Sequence, residues 1–394
     1  MANIQALPTA ARIQAFGITI FSEISALARG VGAVNLGQGF PDFDGPEAVL
    51  DAAAAAIGKG HNQYAITFGE PELRQAIAEH SARFYAQQAD HEQEITVTSG
   101  ATEAIFCAAL AFINPGDEVI VFEPCYDSYV PAITFAGGIP VPVALHAPDF
   151  RFDPDELRRA VTPRTRAIII NTPHNPTGTV LTSDELGIIA DLCCRHNLIA
   201  ITDEVYEHIV FDGAAHQRLA TFPGMADRTL TISSGGKSFS VTGWKIGWAI
   251  GPKHLQTALR RVHQFSVFAT ATPLQHAIAH ALRLPDSYFR ELRAAYQARR
   301  DALAAMLQQA GFATAVPQGS YFVVANVSGF GRGDAIEFNR WLIREIGVAA
   351  IPVSAFYLRP GNGDHLLRFC FCKRWETLEE GGRRLLKIAE KGGG

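Results

Sequence analysis

The sequence predicts an α/β protein with two parts: a large domain built on a mainly parallel sheet flanked by helices, and a smaller α+β domain. Three observations carry this. From about residue 94 to residue 284, segments with strand character alternate with segments of helical period. Several strand segments, Ala167-Ile168-Ile169-Ile170 among them, are apolar without interruption, as strands covered on both faces are. After about residue 285 the alternation weakens, and a long helical stretch (287–309) runs into short strands. A chain of 394 residues has room for two domains, and 48% hydrophobic residues suffice for a large core. The expected division is 1–43 (an arm and part of the small domain), 44–284 (large domain) and 285–394 (small domain).

In order along the chain, residues 20–29 form a short amphipathic helix stopped by Gly30. Ala33 to Asp42 reads as a strand entering a turn in which Gly37 and Gly39 allow close backbone approach. Pro46 opens a helix that Gly58 is expected to close. A loop at Asn62-Gln63-Tyr64-Ala65 precedes a helix over 70–87. Strands are expected at 94–98, 117–122, 139–145, 166–170, 198–202 and 229–232, with helices at 101–112, 154–161 and 183–196. Strands around Pro317-Gln318-Gly319-Ser320 and a mixed tail from 334 complete the small domain.

Composition narrows the function classes. A net charge of −5 gives no basic surface for nucleic acid or anionic membranes. No apolar run approaches a membrane span, and no cationic segment followed by an apolar run opens the chain, so the cytoplasm is the expected compartment. The six cysteines contain no C-x-x-C spacing. Neither a metal site nor a disulfide framework is signalled, and reduced core thiols are expected.

Chemistry gathers where strands end. In an open α/β sheet, ligands sit beyond the carboxyl ends of the strands. The first strand leaves Ser99-Gly100-Ala101-Thr102 at a helix N-terminus, where free N–H groups favour a phosphate. The next leaves Tyr126, and the strand at 166–170 leaves Asn175-Pro176-Thr177-Gly178. The strand at 198–202 leaves Asp203, Glu204 and Tyr206, and the strand at 229–232 leaves Ser234 and Lys237. Lys237 has two functional readings. A phosphate loop needs glycine six residues earlier, where Thr231 stands, so that reading fails. A lysine forming a Schiff base with an aldehyde cofactor remains, against a plain solvated turn lysine. Asn175-Pro176 could be only a turn, Asp203 a helix cap and Tyr126 core. One cofactor explains all of them at a single edge.

With Asn175-Pro176-Thr177-Gly178, Asp203-Glu204-Val205-Tyr206, Ser234-Gly235-Gly236-Lys237, Lys245 and Leu367-Arg368-Phe369, the chain resembles the fold type I pyridoxal-phosphate aminotransferases of the aspartate-aminotransferase superfamily. The likeness runs from Gly37 to Arg368. Asn62-Gln63-Tyr64, Tyr126-Asp127-Ser128-Tyr129 and Ala349-Ala350-Ile351-Pro352 are similar to the branch that holds methionine, kynurenine and N-succinyldiaminopimelate aminotransferases.

That resemblance implies pyridoxal 5′-phosphate in the 44–284 domain, with Lys237 joined to it and acting as the proton-transferring base. Asp203 would pair with the pyridine nitrogen and stay ionised through that cation. Asn175 and Tyr206 would bond the ring's phenolic oxygen, and Tyr126 would stack on the ring. Gly100, Ala101, Thr102, Ser234 and Lys245 would hold the phosphate; the wider family often has arginine at the position of Lys245. Arg368, helped by Asn175 and the Gly39 backbone, would clamp the substrate α-carboxylate. Tyr64 would reach the phosphate of a neighbouring subunit, which implies a homodimer. The partners expected are amino acids and 2-oxo acids, with no metal, nucleic acid or membrane.

No cation appears in 264–270, a stretch expected near the cleft, and Phe21, Phe40, Tyr64, Phe265, Phe268 and Phe356 are candidate apolar walls. A neutral sulfur-containing or aromatic donor is therefore expected (methionine, kynurenine or phenylalanine, with glutamine beside them). Transamination of N-succinyldiaminopimelate and β-elimination from cysteine S-conjugates are the alternatives. A ligand-sensing transcription regulator would need a basic N-terminal segment that this sequence does not show.

Overall fold

A computed structural model describes residues 9–17 and 19–391. Its centre is an eight-stranded sheet in the order Ile95–Ser99, Ile246–Ile250, Thr229–Ser234, Ile199–Asp203, Thr165–Asn171, Glu118–Glu123, Ile139–His146, Arg151–Phe152. The four pairings from Thr229–Ser234 across to Ile139–His146 are parallel, and the strands at both margins run antiparallel. This is the mainly parallel sheet expected, and its central strands are buried along their length, Arg166 near one strand start excepted, because helices cover both faces.

Two strands of this sheet have no clear signal in the sequence, the two-residue Arg151–Phe152 at one margin and Ile246–Ile250. Ile246–Ile250 lies between Ile95–Ser99 and Thr229–Ser234, antiparallel to both. It carries no alternation and follows the lysine motif directly, so no periodic signal separates it. The helices Tyr129–Phe135, Lys253–Ser266 and Thr272–Leu282 likewise lie where the sequence reading placed none. Smaller corrections concern helix ends. Gly58 sits inside its helix, which is capped by Lys59, and the helix expected over 70–87 spans Pro71–Tyr85, stopped by Ala86 in the left-handed region.

A second sheet, Ala313–Thr314, Phe322–Asn326, Leu366–Cys370 and Ile351–Pro352, is antiparallel throughout. Val34-Asn35 near the N-terminus pairs with Val348-Ala349 near the other end of the chain. The 24-residue helix Asp286–Gln309 leads from the first sheet to the second, and we propose it as the junction of two domains. All six cysteines are free; Cys194 is exposed rather than a core thiol, because its neighbour Cys193 takes the inward face of their helix. No described helix is long and apolar enough to cross a membrane.

Candidate active site

The carboxyl edge of the large sheet and the small sheet enclose a cavity of about 340 Å³. Gly39, Gly100, Ala101, Thr102, Tyr126, Asn175, Asp203, Tyr206, Ser234, Lys237, Lys245 and Arg368 line it. Of the site residues expected from sequence, Tyr64 stands apart. Its side chain is 85% exposed and meets Phe268 edge-on at 5.4 Å. Among the expected walls, Phe21 and Phe40 line the cavity, Phe356 is buried behind Arg368, and Phe265 and Phe268 face outward in this single chain.

Asp203 ends its strand facing the cavity. Its Oδ2 accepts the Tyr129 hydroxyl at 2.7 Å and its Oδ1 the Val205 N–H at 3.3 Å. Burial raises this carboxyl to about 6, although both hydrogen bonds and the Lys237 charge pull the other way. A carboxylate expected to stay ionised beside a cation is thus only part-way there in the chain alone. Glu204, one residue on, lies away from the cavity, 2.8 Å from His216 Nε2 and 3.2 Å from Arg218 Nε. Arg218 also holds Glu207, whose carboxyl lies at about 2, since the guanidinium and nearby histidines outweigh its burial. Ser233 donates to Glu207 at 2.8 Å, tying this buried network to the strand that carries the lysine motif.

Lys237 sits on the turn of helix Gly235–Ser238 directly after that strand. A Cβ at Gly235 would lie 2.6 Å from Ile278 Cδ1, and one at Gly236 would lie 3.1 Å from Thr242 Cα, so small residues are required beside the lysine. The amine lies 5.7 Å from the Tyr206 ring centre and 5.6 Å from that of Tyr321. Burial lowers its pKa to about 8 against the opposing pull of Cys372 and Asp203.

Arg368 comes from the small sheet, in strand Leu366–Cys370. Its Nη1 donates to Asn175 Oδ1 at 2.8 Å and its Nη2 to the Gly37 carbonyl at 2.9 Å. The guanidinium lies 4.0 Å from the Phe322 ring centre and 4.9 Å from that of Phe356. Its buried Nε has no partner among the described residues. Asn171 connects this corner to Asp203: its Oδ1 accepts the Asn175 N–H at 2.7 Å, and its Nδ2 donates to the Asp203 carbonyl at 2.8 Å.

Helix Gly100–Phe112 starts at the cavity. Gly100 has φ +76°, and a Cβ there would stand 3.0 Å from Lys245 Nζ. Lys245 itself has φ +56°, uncommon for a side-chain-bearing residue, and this conformation brings its amine over the helix N-terminus. Free N–H groups plus an ammonium make a site for a dianion.

These residues fit the cofactor that the resemblance implies. They offer an anion cradle that any larger residue at position 100 would crowd, a partly neutral lysine amine, and a buried carboxylate whose ionisation a cation would favour. An unpaired arginine N–H remains for a further acceptor. Tyr129, Asn171, Tyr321 and Asp127 were not assigned roles from sequence. Asn171 was visible at a strand end, but what the other three face depends on elements far away in the chain.

The profile of the family described as Aminotransferase class I and II matches residues 31–385. The chain is 49% identical to a probable N-succinyldiaminopimelate aminotransferase of Mycobacterium tuberculosis, covering 97% of this chain and 99% of the relative. It is 40% identical to the methionine aminotransferase of Escherichia coli K12, over 98% and 100%. The solved structure of N-succinyldiaminopimelate aminotransferase from M. tuberculosis superposes with a TM-score of 0.94 at 50% identity, over 97% of this chain and 100% of that one.

Proposed function

The chain belongs to the class I and II aminotransferases and is a pyridoxal-phosphate-dependent transaminase; from that premise we propose that its amino donor is a neutral L-amino acid, sulfur-containing or aromatic, and that the amino group passes to a 2-oxo acid in two half-reactions. Pyridoxal phosphate, when bound, supplies an aldehyde for the amine and a protonated ring that takes up electron density from the substrate Cα.

The chain's own residues divide the remaining work. Lys237 holds the cofactor and moves the proton at the substrate Cα; an amine near pKa 8 is in part neutral at physiological pH, as a nucleophile and base must be. Asp203, positioned by Tyr129, would keep the pyridine nitrogen protonated. Asn175 and Tyr206 would bond the ring oxygen, and Tyr126 would offer its ring face. Gly100, Ala101, Thr102, Ser234 and Lys245 would hold the phosphate. Arg368, with Asn175 and the Gly39 backbone, takes the α-carboxylate.

The observation that carries the neutral donor is the rest of the lining. Besides Lys237, Lys245 and Arg368, each with a task, the described lining residues include no cation, and Phe21, Gln38 and Phe40 form the wall. N-succinyldiaminopimelate is the second reading, favoured by the 49% identity to the mycobacterial relative. Titrating the holoenzyme with single amino acids decides between them. The visible cofactor band is expected to bleach with methionine or kynurenine and return with a 2-oxo acid. Bleaching by N-succinyldiaminopimelate alone would reject the neutral donor.

Arg368→Lys keeps the charge but loses the planar fork. Its kcat/KM for methionine is expected to fall about 10²- to 10³-fold, the cost of weakening a buried charged clamp. Steady-state kinetics with methionine and its decarboxylated analogue check this: the analogue, which has no α-carboxylate, should lose little. Equal losses with both would mean that Arg368 acts elsewhere.

The reading includes a cytoplasmic homodimer. Tyr64 is 85% exposed and meets Phe268 edge-on, and Phe265 is 86% exposed, aromatic surface that a second copy would cover. Tyr64 would then serve the partner's phosphate site, and six free thiols suit a reducing compartment.

A further inference from the structure

We propose that Asp127 sets the polarity of the side-chain end of this site, favouring neutral donors that present an N–H to its carboxylate and turning away dicarboxylic donors such as glutamate and aspartate. The inference rests on the transaminase reading and adds to it a residue and a substrate class.

Asp127 follows Tyr126, and both line the cavity together with Phe21, Gln38 and Phe40. It is half-buried, and no side chain among the described residues donates a hydrogen bond to it. The structural alternative is a cap for helix Tyr129–Phe135 just downstream, but the N-cap position of that helix is Ser128 and no side-chain capping bond is made there among the described residues. Its neighbours do not neutralise it directly. The Gln38 amide nitrogen is donated to Ser25 Oγ at 2.6 Å. Arg368 acts on Asp127 through its field and makes no hydrogen bond to it among the described residues; its Nη1 and Nη2 each donate one bond, to Asn175 and the Gly37 carbonyl, and keep further N–H groups for a substrate carboxylate. Burial raises the carboxyl of Asp127, and the Arg368 field and a hydrogen bond from its own backbone N–H lower it.

A substrate α-carboxylate bound at Arg368 brings its side chain into the same cavity. A second carboxylate there meets a like charge in a partly desolvated place, where repulsion is strong. A neutral amide or aromatic amine meets a carboxylate that accepts from its own backbone N–H and from no side chain among the described residues, so it has acceptor capacity left. A site with an unpaired polar group discriminates well between substrates that satisfy it and those that do not.

Glutamine and glutamate are nearly isosteric and differ in the two properties at issue, charge and an N–H donor. The experiment measures the single-turnover rate constant for each with the wild-type holoenzyme and with Asp127→Asn. The wild type is expected to prefer glutamine by about 100-fold or more, and Asp127→Asn to reduce that ratio by at least about tenfold, chiefly through faster reaction with glutamate. A wild-type ratio within about threefold of unity overturns the proposal without any variant. So does an Asp127→Asn ratio equal to the wild-type one in protein that retains its visible cofactor band. Absence of transfer from methionine, kynurenine and glutamine alike would instead bring down the reading of the preceding subsection, and this one with it.

Discussion

Lys237→Ala is expected to lower amino-group transfer by about 10⁴-fold or more, the upper range for loss of a positioned general base, with loss of covalent attachment in addition. Lys237→Arg should be as inactive. Arginine keeps a cation but cannot shed its proton, whereas burial has brought the lysine amine down to about 8. Two measurements check this. Single-turnover kinetics with methionine report the proton transfer. Borohydride reduction followed by peptide mapping reports the attachment, with added mass expected on the peptide containing residue 237 in wild type and on none in the variants. Added mass on the peptide containing Lys245 would move the assignment to that second lysine of the cavity.

Asp203→Asn is expected to reduce transfer by about 10³-fold, since an amide places no negative charge beside the pyridine nitrogen. The same substitution should stabilise the cofactor-free protein. The folded-state carboxyl of Asp203 lies at about 6, above its ordinary 3.8, because burial disfavours the charged form. A raised carboxyl holds its proton more tightly in the folded state. Its contribution therefore favours folding fully below pH 3.8 and is lost as the pH rises through 6. Above pH 6 the ionised, buried group weighs on the fold by about 3 kcal/mol relative to an unshifted one. Asparagine avoids that cost and can still accept the Tyr129 hydroxyl. Urea unfolding of cofactor-free protein at pH 7.5 should show the variant more stable than wild type, with the gap closed at pH 4. An equal gap at both pH values would mean that Asp203 is not the titrating group. The two effects have one origin: the charge that the reaction needs is costly until a cation binds against it.

Much of the site was legible in the sequence because its parts lie at strand ends, which local signals mark. Gly100 at a strand-to-helix junction, Asn175 and Asp203 after apolar strands, and Lys237 between small residues are all short-range features, and all face one cavity. The chain beyond Lys237 was less legible. Ile246–Ile250 is apolar on both faces and follows the site motif without a turn signal, so its strand character emerges only from the two strands that flank it. Tyr64 and Phe268 read as pocket walls by residue type, yet both face outward in the single chain, since residue type does not tell an inner wall from an outer face.

Local patterning alone specified the α/β class, most of the strands and helices through the first 240 residues (the helix Tyr129–Phe135 and the strand Arg151–Phe152 excepted), and which side chains stand at the reactive edge. Packing decided the rest. It brought Arg368 to Asn175 across 193 residues and Tyr129 to Asp203 across 74. It put Asp203 in the cavity and Glu204 among Arg218 and His216, it raised the Asp203 carboxyl by burying it, and it brought the Lys237 amine down toward a value useful for proton transfer. The physical reason is range. Period, turn chemistry and glycine placement act over a few residues and are written in the chain. Burial, ion pairing and hydrogen bonding between distant strands arise only when those elements meet.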